Sequence, residues 1–67
     1  MKSVIKVINM KGQRDASRIQ SAVMNKEGII AIQTSVKKQE VTLIYNEMYI
    51  DVNEVVGIIE DLGYITI

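Results

Sequence analysis

Residues 3–15, with the sequence SVIKVINMKGQRD, decide the fold of this chain. The first part, residues 3–9, alternates in character and is rich in β-branched side chains, which is typical of a β-strand. The second part is polar, contains Gly12, and leads into a segment with apolar residues at helical spacing. The stretch therefore predicts a strand, a short loop and the start of a helix. Such a loop presents backbone N–H groups and side chains at one end of a small domain, which is a common place for a ligand.

The following segment predicts an amphipathic helix over residues 13–27. One stripe of that helix is apolar and predicts its buried face: Ala16, Ile19, Ala22 and Val23. Gly28 is expected to end the helix in a left-handed conformation. Residues 29–36 and 40–45 then predict two strands joined as a hairpin, because three polar residues separate them.

A second helix is predicted behind Asp51, because Asp51 and Glu54 resemble a capping box. Its stripe contains Val52, Val55, Val56, Ile59 and Leu62. Gly63 is expected to end it, and residues 64–67 to form a short last strand. The element order is therefore βαββαβ. Right-handed crossovers place both helices on one face of a four-stranded antiparallel sheet with strand order 4-1-3-2. The predicted fold class is α/β (α+β), a ferredoxin-like sandwich, with residues 1–67 forming a single domain.

The amino-acid composition excludes several kinds of functional site. The chain of 67 residues has no cysteine and no histidine, so disulfides, thiolate metal sites and the usual general base are all excluded. The formal net charge is zero, although most basic residues lie in the first half and most acidic residues in the second. With three tyrosines and no Phe or Trp, we expect no nucleic-acid binding. No apolar run is long enough for membrane insertion and no signal peptide is recognisable, so we expect a cytoplasmic protein.

Several residues together resemble the heavy-metal-associated (HMA) domain family, which includes small copper chaperones and the N-terminal metal-binding domains of P-type ATPases. The family motif is Gly-Met-x-Cys-x-x-Cys after the first strand, and Asn9 to Asp15 occupy that position. The remaining similarity lies in the first-helix core, the Gly28-Ile29 pair, the alternating hairpin residues and the closing Gly63-Tyr64 pair. The resemblance supports the ferredoxin-like fold.

The two cysteines of the family motif are Gly12 and Asp15 in this chain. Soft metals need soft donors, and the loop offers only the thioether of Met10, which by resemblance points into the core. Asp15 alone makes a poor ion site and is expected to stabilise the first turn of the helix. We therefore expect a degenerate metal site, no tight copper or zinc binding, and no cofactor.

The loop retains other candidate roles. Lys11, Gly12 and Arg14 lie at a helix N-terminus, which favours an anion, although no glycine-rich phosphate cradle is present. By resemblance to the chaperones, Lys11, Arg14 and Arg18 are candidates for docking to an acidic protein surface. The full set of loop candidates comprises Met10, Lys11, Gly12, Gln13, Arg14, Asp15, Arg18 and Tyr64.

The strand alternation predicts a second surface. If Ile5 and Val7 face the helices, branched apolar residues face the opposite, uncovered side of the sheet. A face that meets only water ordinarily carries polar residues, so this set predicts a protein contact. Its members are Val4, Ile8, Ile44, Ile65 and Ile67.

The sequence thus predicts a non-enzymatic interaction module, with another protein or a second copy as partner. Two alternatives stay open: metal binding through Met10, Asp15 and Tyr64, and sensing of a small ligand or anion. An enzyme is not expected, because no two acid–base groups are spaced to cooperate.

Overall fold

The computed structural model describes residues 1–67, which form two helices packed on one face of an antiparallel sheet. The elements, in chain order, are β1 (Lys2–Lys6), α1 (Gln13–Met24), β2 (Ile29–Ser35), β3 (Glu40–Tyr45) and α2 (Val52–Asp61). This is the predicted ferredoxin-like architecture. Neither helix is long and apolar enough to span a membrane.

The regular sheet has three strands in the order β1-β3-β2, with both pairings antiparallel. The predicted short last strand is present only as a single bridge between Val7 and Thr66, so the prediction of a fourth regular strand was wrong. It lies beside β1, as the order 4-1-3-2 requires. At the start of this segment Asn9 Oδ1 accepts a hydrogen bond from the Ile65 N–H at 2.9 Å, and at its end the Ile67 N–H donates to the Lys6 carbonyl oxygen at 3.1 Å.

The core lies between the sheet and the helices and contains only apolar and tyrosine side chains. The alternation predicted for β1 is present, because Ile5 and Val7 are buried whereas Val4 and Ile8 are exposed. Strand β2 contributes no fully buried residue, although its Ile29 and Ile32 pack against the cluster. The other residues of the buried cluster come from α1, β3, α2 and the connecting segments: Met10, Ile19, Val23, Val41, Leu43, Tyr45, Ile50, Val55, Ile59 and Tyr64. No buried side-chain nitrogen or oxygen lacks a hydrogen-bond partner.

The connection from α1 to β2 differs from the prediction. Helix α1 ends at Met24, three residues before the predicted Glu27, and Asn25 caps it in a right-handed conformation. Gly28 has the predicted left-handed backbone, with φ of +98°, but it serves the strand entry instead of the helix end. A Cβ at Gly28 would lie 2.9 Å from both Ile50 Cγ2 and Tyr49 Cβ. A glycine here therefore allows residues 49 and 50 to pack closely on the start of β2.

Helix α2 is capped by Asp51, as predicted, but by a different bond. Asp51 Oδ1 accepts from the Asn53 N–H at 2.9 Å, whereas the predicted capping box would use the Glu54 N–H. The Glu54 N–H instead donates to the Asp51 carbonyl oxygen at 3.0 Å. Asp51 therefore satisfies two N–H groups of the first turn of α2, one with its side chain and one with its carbonyl oxygen.

Candidate functional site

The loop from Val7 to Gly12 brings the end of β1 to the first turn of α1. Gly12 is the N-cap of α1 and has an extended backbone, and its carbonyl oxygen accepts from the Asp15 and Ala16 N–H groups at 3.1 and 3.3 Å. The side chain of Asp15 points back across the loop to the Lys11 backbone. Tyr64, which follows α2, lies beside it.

Both carboxylate oxygens of Asp15 accept hydrogen bonds. Oδ2 accepts from the Lys11 N–H at 2.7 Å, and Oδ1 accepts from the Tyr64 hydroxyl at 2.7 Å. The Lys11 N–H, followed by the Tyr64 hydroxyl, lowers the pKa of Asp15 below its ordinary value of 3.8, while partial burial opposes the change. Asp15 therefore holds the first turn of α1, as predicted, and also links the loop to the C-terminal segment.

Tyr64 is buried, and its hydroxyl group also contacts Arg18. An Arg18 Nη1 hydrogen donates to Tyr64 Oη at 3.3 Å, and the guanidinium carbon lies 5.7 Å from the ring centroid. Burial, and then the hydrogen bond to Asp15, raises the pKa of Tyr64 above 10.0, its ordinary value. Asp15, Tyr64 and Arg18 thus form one hydrogen-bonded group, which we call the Asp15 network.

Met10 is buried in the core, where the resemblance placed it. Its backbone is held by the side chain of Gln39, at the far end of the β2–β3 hairpin. Gln39 Oε1 accepts from the Met10 N–H at 3.1 Å, and Gln39 Nε2 donates to the carbonyl oxygens of Met10 and Val36, each at 2.7 Å. Sequence reasoning missed Gln39, because it treated residues 37–39 as a solvated turn and no spacing connects residues 10 and 39.

The side chains of the remaining loop candidates do not join the Asp15 network, to which Lys11 contributes only its backbone N–H. Lys11, Gln13 and Arg14 are exposed. Arg14 and Arg18 line an open groove between α1 and α2 with Leu62 and several small polar residues of α1. No group of three His, Cys, Asp or Glu residues is arranged to hold a metal ion. Anion binding and charged docking at this loop stay predictions.

The five residues predicted for the uncovered sheet face are all exposed, from 36% for Ile44 to 80% for Ile67. The register divides them into two groups. Val4 and Ile44 lie at one end, beside Lys2 and Thr42. Ile8, Ile65 and Ile67 lie at the other, where the Ile8 N–H donates to the Ile65 carbonyl oxygen at 3.0 Å.

An ion pair lies between these groups. Lys6 falls between Val4 and Ile8 along β1, and Lys6 Nζ is 3.9 Å from Glu40 Oε2. Lys6 Nζ also donates to the Lys38 carbonyl oxygen at 3.0 Å. The uncovered face therefore combines two apolar areas with a charged centre.

The fold closely matches those of several solved structures. The CopZ metallochaperone has a TM-score of 0.97 and 22% sequence identity, with all of both chains covered. The copper binding domain from HMA7, a P-type ATPase, has a TM-score of 0.92 and 17% identity over 98% of this chain and 89% of that one. The putative copper-ion-binding protein from Bacillus anthracis str. Ames has a TM-score of 0.94 and 19% identity over 100% of this chain and 94% of that one. At these identities the likeness concerns the fold.

Comparison at the level of sequence is more specific. No curated protein matches the chain. The heavy-metal-associated domain family, however, matches residues 4–64, from β1 to Tyr64. The match includes the β1–α1 loop, both helices and the hairpin. This chain belongs to the heavy-metal-associated domain family.

Proposed function

We propose that this domain is a protein-interaction module of the HMA family that works without bound copper or zinc. The observation that carries the proposal is the state of the Asp15 carboxylate, which stands where the family motif has its second cysteine. Both of its oxygens already accept short hydrogen bonds, from Lys11 and Tyr64. A ligand position in the motif has become part of an internal hydrogen-bonded group.

The donors near the loop do not fit a soft metal ion. Cu(I) prefers thiolate and thioether ligands, and Zn(II) is bound by thiolate, imidazole and carboxylate groups. The chain has no cysteine or histidine, and Met10 is buried in the core. The alternative of metal binding through Met10, Asp15 and Tyr64 would require the Asp15 network to break. We therefore assign the loop a structural role.

The uncovered sheet face is the surface that we assign to a protein partner or a second copy. Its apolar side chains flank the Lys6–Glu40 ion pair, so it offers both apolar contact and charge. Burying one branched apolar side chain contributes roughly 1.5–3 kcal/mol. Lys11, Arg14 and Arg18 provide a separate basic surface for an acidic partner.

A copper competition experiment tests the metal part of the proposal. The untagged protein is titrated with Cu(I) against a chromophoric chelator, and native mass spectrometry records any retained metal or small molecule. We expect the chelator to keep the copper and the mass to equal that of the bare chain. A stoichiometric, tightly held ion would establish the metal-binding alternative, and a retained metabolite would establish the sensor alternative.

The interaction part is tested with the double variant Ile8→Lys plus Ile44→Lys. Proteins captured from extract of the source organism are identified for the wild type and the variant, and self-association is followed by sedimentation velocity. Met48→Lys is the matched control, because Met48 is 88% exposed in the loop after β3. We expect the double variant, but not the control, to lose its partners. Retention of every partner by the double variant would refute the assignment.

A further inference from the structure

The outer faces of the two helices carry charges of opposite sign. Exposed charged residues are all basic on α1 and all acidic on α2: Arg14, Arg18, Glu54, Glu60 and Asp61. The structure contains one ion pair, between Lys6 and Glu40, so none of these helical charges is paired within the chain. Each helix therefore presents unpaired charges to its surroundings.

The positions of these charges do not stabilise the helices that carry them. A helix dipole favours acidic groups at the N-terminal end and basic groups at the C-terminal end. Arg14 instead lies in the first turn of α1, and Glu60 and Asp61 lie in the last turn of α2. Neither helix has a basic residue in its last turn. Local helix stability therefore does not account for where the charges are placed.

Gly57 lies at the centre of the acidic face of α2. It is two residues away from both Val55 and Ile59, which are buried, and a helix turns by about 100° per residue, so Gly57 faces away from the core. A Cβ at this position would have no neighbouring atom within 4 Å, so packing within the chain does not require a glycine. A glycine is unfavourable inside a helix, but without a Cβ it allows another backbone to approach closely.

The two helices run antiparallel, which brings their opposite charges side by side. Arg14 and Arg18 line the groove beside Leu62, and Arg18 contacts Tyr64, so the basic end of α1 lies next to the C-terminal end of α2. A two-fold axis parallel to the helices would place α1 of one copy on α2 of another, with the basic end of α1 beside Asp61. An axis perpendicular to the helices would instead place α2 on α2, with acidic residues facing each other. The charges thus favour the parallel axis.

We propose that the helix layer of this chain packs on the helix layer of a second copy, with α1 of each copy antiparallel to α2 of the other. The inference rests on the proposed function, since it names a second copy as the acidic partner of the basic surface. Arg14 and Arg18 approach the partner's Asp61, and the partner's Gly57 lies against the outer face of α1, where Ser21 is small and exposed. The contact forms twice in each dimer, because a two-fold axis repeats it. Both uncovered sheet faces stay on the outside.

The first test uses the unmodified protein. Sedimentation velocity is measured from micromolar to millimolar protein at ionic strengths of about 0.01 M and about 1 M. We expect a monomer–dimer equilibrium at low salt and a dissociation constant at least about tenfold higher at high salt, because salt screens the contacts between arginine and aspartate. A monomer at every concentration, or a dimer that salt does not weaken, would overturn this inference. Neither result would alter the copper titration or the partners captured through the uncovered sheet face.

The second test reverses charges at exposed positions. Arg14→Glu and Asp61→Arg should each weaken the dimer about tenfold. An equimolar mixture of the two variants should form a heterodimer in native mass spectrometry, because each altered residue then faces a residue of opposite charge. Glu47→Arg is the matched control, since Glu47 is exposed in the loop after β3, and it should leave the dimer unchanged. Absence of a preferred heterodimer would refute the pairing of α1 with α2.

The third test separates the close approach at Gly57 from folding. Gly57→Ala should stabilise the folded chain against urea, because alanine is the better helix former, and should weaken the dimer about tenfold. The double variant Ile8→Lys plus Ile44→Lys should retain the dimer, which separates this interface from the uncovered sheet face. A dimer that Gly57→Ala leaves unchanged, or one that the double variant abolishes, would contradict the proposed packing.

Discussion

The hydroxyl group of Tyr64 donates a 2.7 Å hydrogen bond to Asp15 Oδ1, joining residues that are 49 positions apart in the chain. The bond connects the first turn of α1 to the segment after α2. A second bond to the same hydroxyl comes from Arg18. The Asp15 network thus depends on the residue that follows Gly63.

Removing the Tyr64 hydroxyl group tests the contribution of the Asp15 network to stability. Tyr64→Phe keeps the buried ring but deletes the donor to Asp15, so we expect the free energy of unfolding to fall by about 1 kcal/mol. Urea denaturation followed by circular dichroism measures the change. Tyr49→Phe is the control, because Tyr49 is exposed and no hydrogen bond of its hydroxyl group is present.

Acidification should weaken the same contact. The pKa of Asp15 is lowered in the folded state, so the folded form binds this proton less readily than the unfolded form. The associated stability is present above the unfolded pKa and is lost as the pH falls through the folded pKa. Thermal unfolding between pH 6 and pH 2 should show a smaller acid loss for Asp15→Asn than for the wild type. Equal losses would contradict this assignment.

Alkaline titration gives the opposite dependence for Tyr64. Its pKa is raised in the folded state, so stability is present below the unfolded pKa of about 10 and declines as the pH rises above that value. NMR of the tyrosine rings should show Tyr64 ionising at a higher pH in the folded wild type than in Asp15→Asn. An unchanged titration would show that the carboxylate does not influence the hydroxyl.

Restoring the two cysteines tests whether the scaffold still supports a soft-metal site. A Cβ at Gly12 would have no neighbouring atom within 4 Å, and the backbone there is extended with φ of −177°, so Gly12→Cys is accommodated. We expect Gly12→Cys plus Asp15→Cys to compete with a chelator for Cu(I), whereas the wild type does not. Asp15→Cys alone is the control, since one thiolate should bind much more weakly.

Glycine substitutions separate backbone strain from crowding. Gly63→Ala should cost about 1–2 kcal/mol, because φ is +98° but the Cβ would enter open space. Gly28→Ala has the same φ and should cost about 1–3 kcal/mol more, because its Cβ would lie 2.9 Å from Ile50 Cγ2 and Tyr49 Cβ. Denaturant unfolding of both variants beside the wild type measures the difference.

The fold was predictable from the sequence because the patterns that specify its strands and helices are periodic and lie within short segments. The alternation around Ile5 and Val7, and the apolar stripe through Ile19 and Val23, specify the strand and helix types without long-range contacts. The hydrogen bonding of the last segment was not predictable, because the Ile65 N–H donates to the Asn9 side chain instead of to a backbone carbonyl oxygen. That contact depends on two residues that meet only in the folded chain.

The residues of the candidate site were predictable from the sequence, but the hydrogen bonds that connect them were not. The sequence placed Asp15 at the first turn and Tyr64 near the loop. It gave no indication that Gln39 holds the Met10 backbone, because a glutamine in a polar turn has no distinguishing pattern. The φ of +55° at Gln39 and the three hydrogen bonds of the Gln39 side chain arise only once the hairpin has formed against β1.

Two hydrogen-bonded contacts hold the β1–α1 loop: the Gln39 side chain binds the Met10 backbone, and Asp15, itself bonded to Tyr64, accepts from the Lys11 N–H. Such a segment samples few conformations before any encounter. A molecule that recognises Lys11 or Arg14 would therefore meet a preorganised epitope, and little conformational entropy would be lost on association. Recognition at this end of the domain would then be governed by the shape of the loop. The enthalpy of binding would depend little on ordering of the loop.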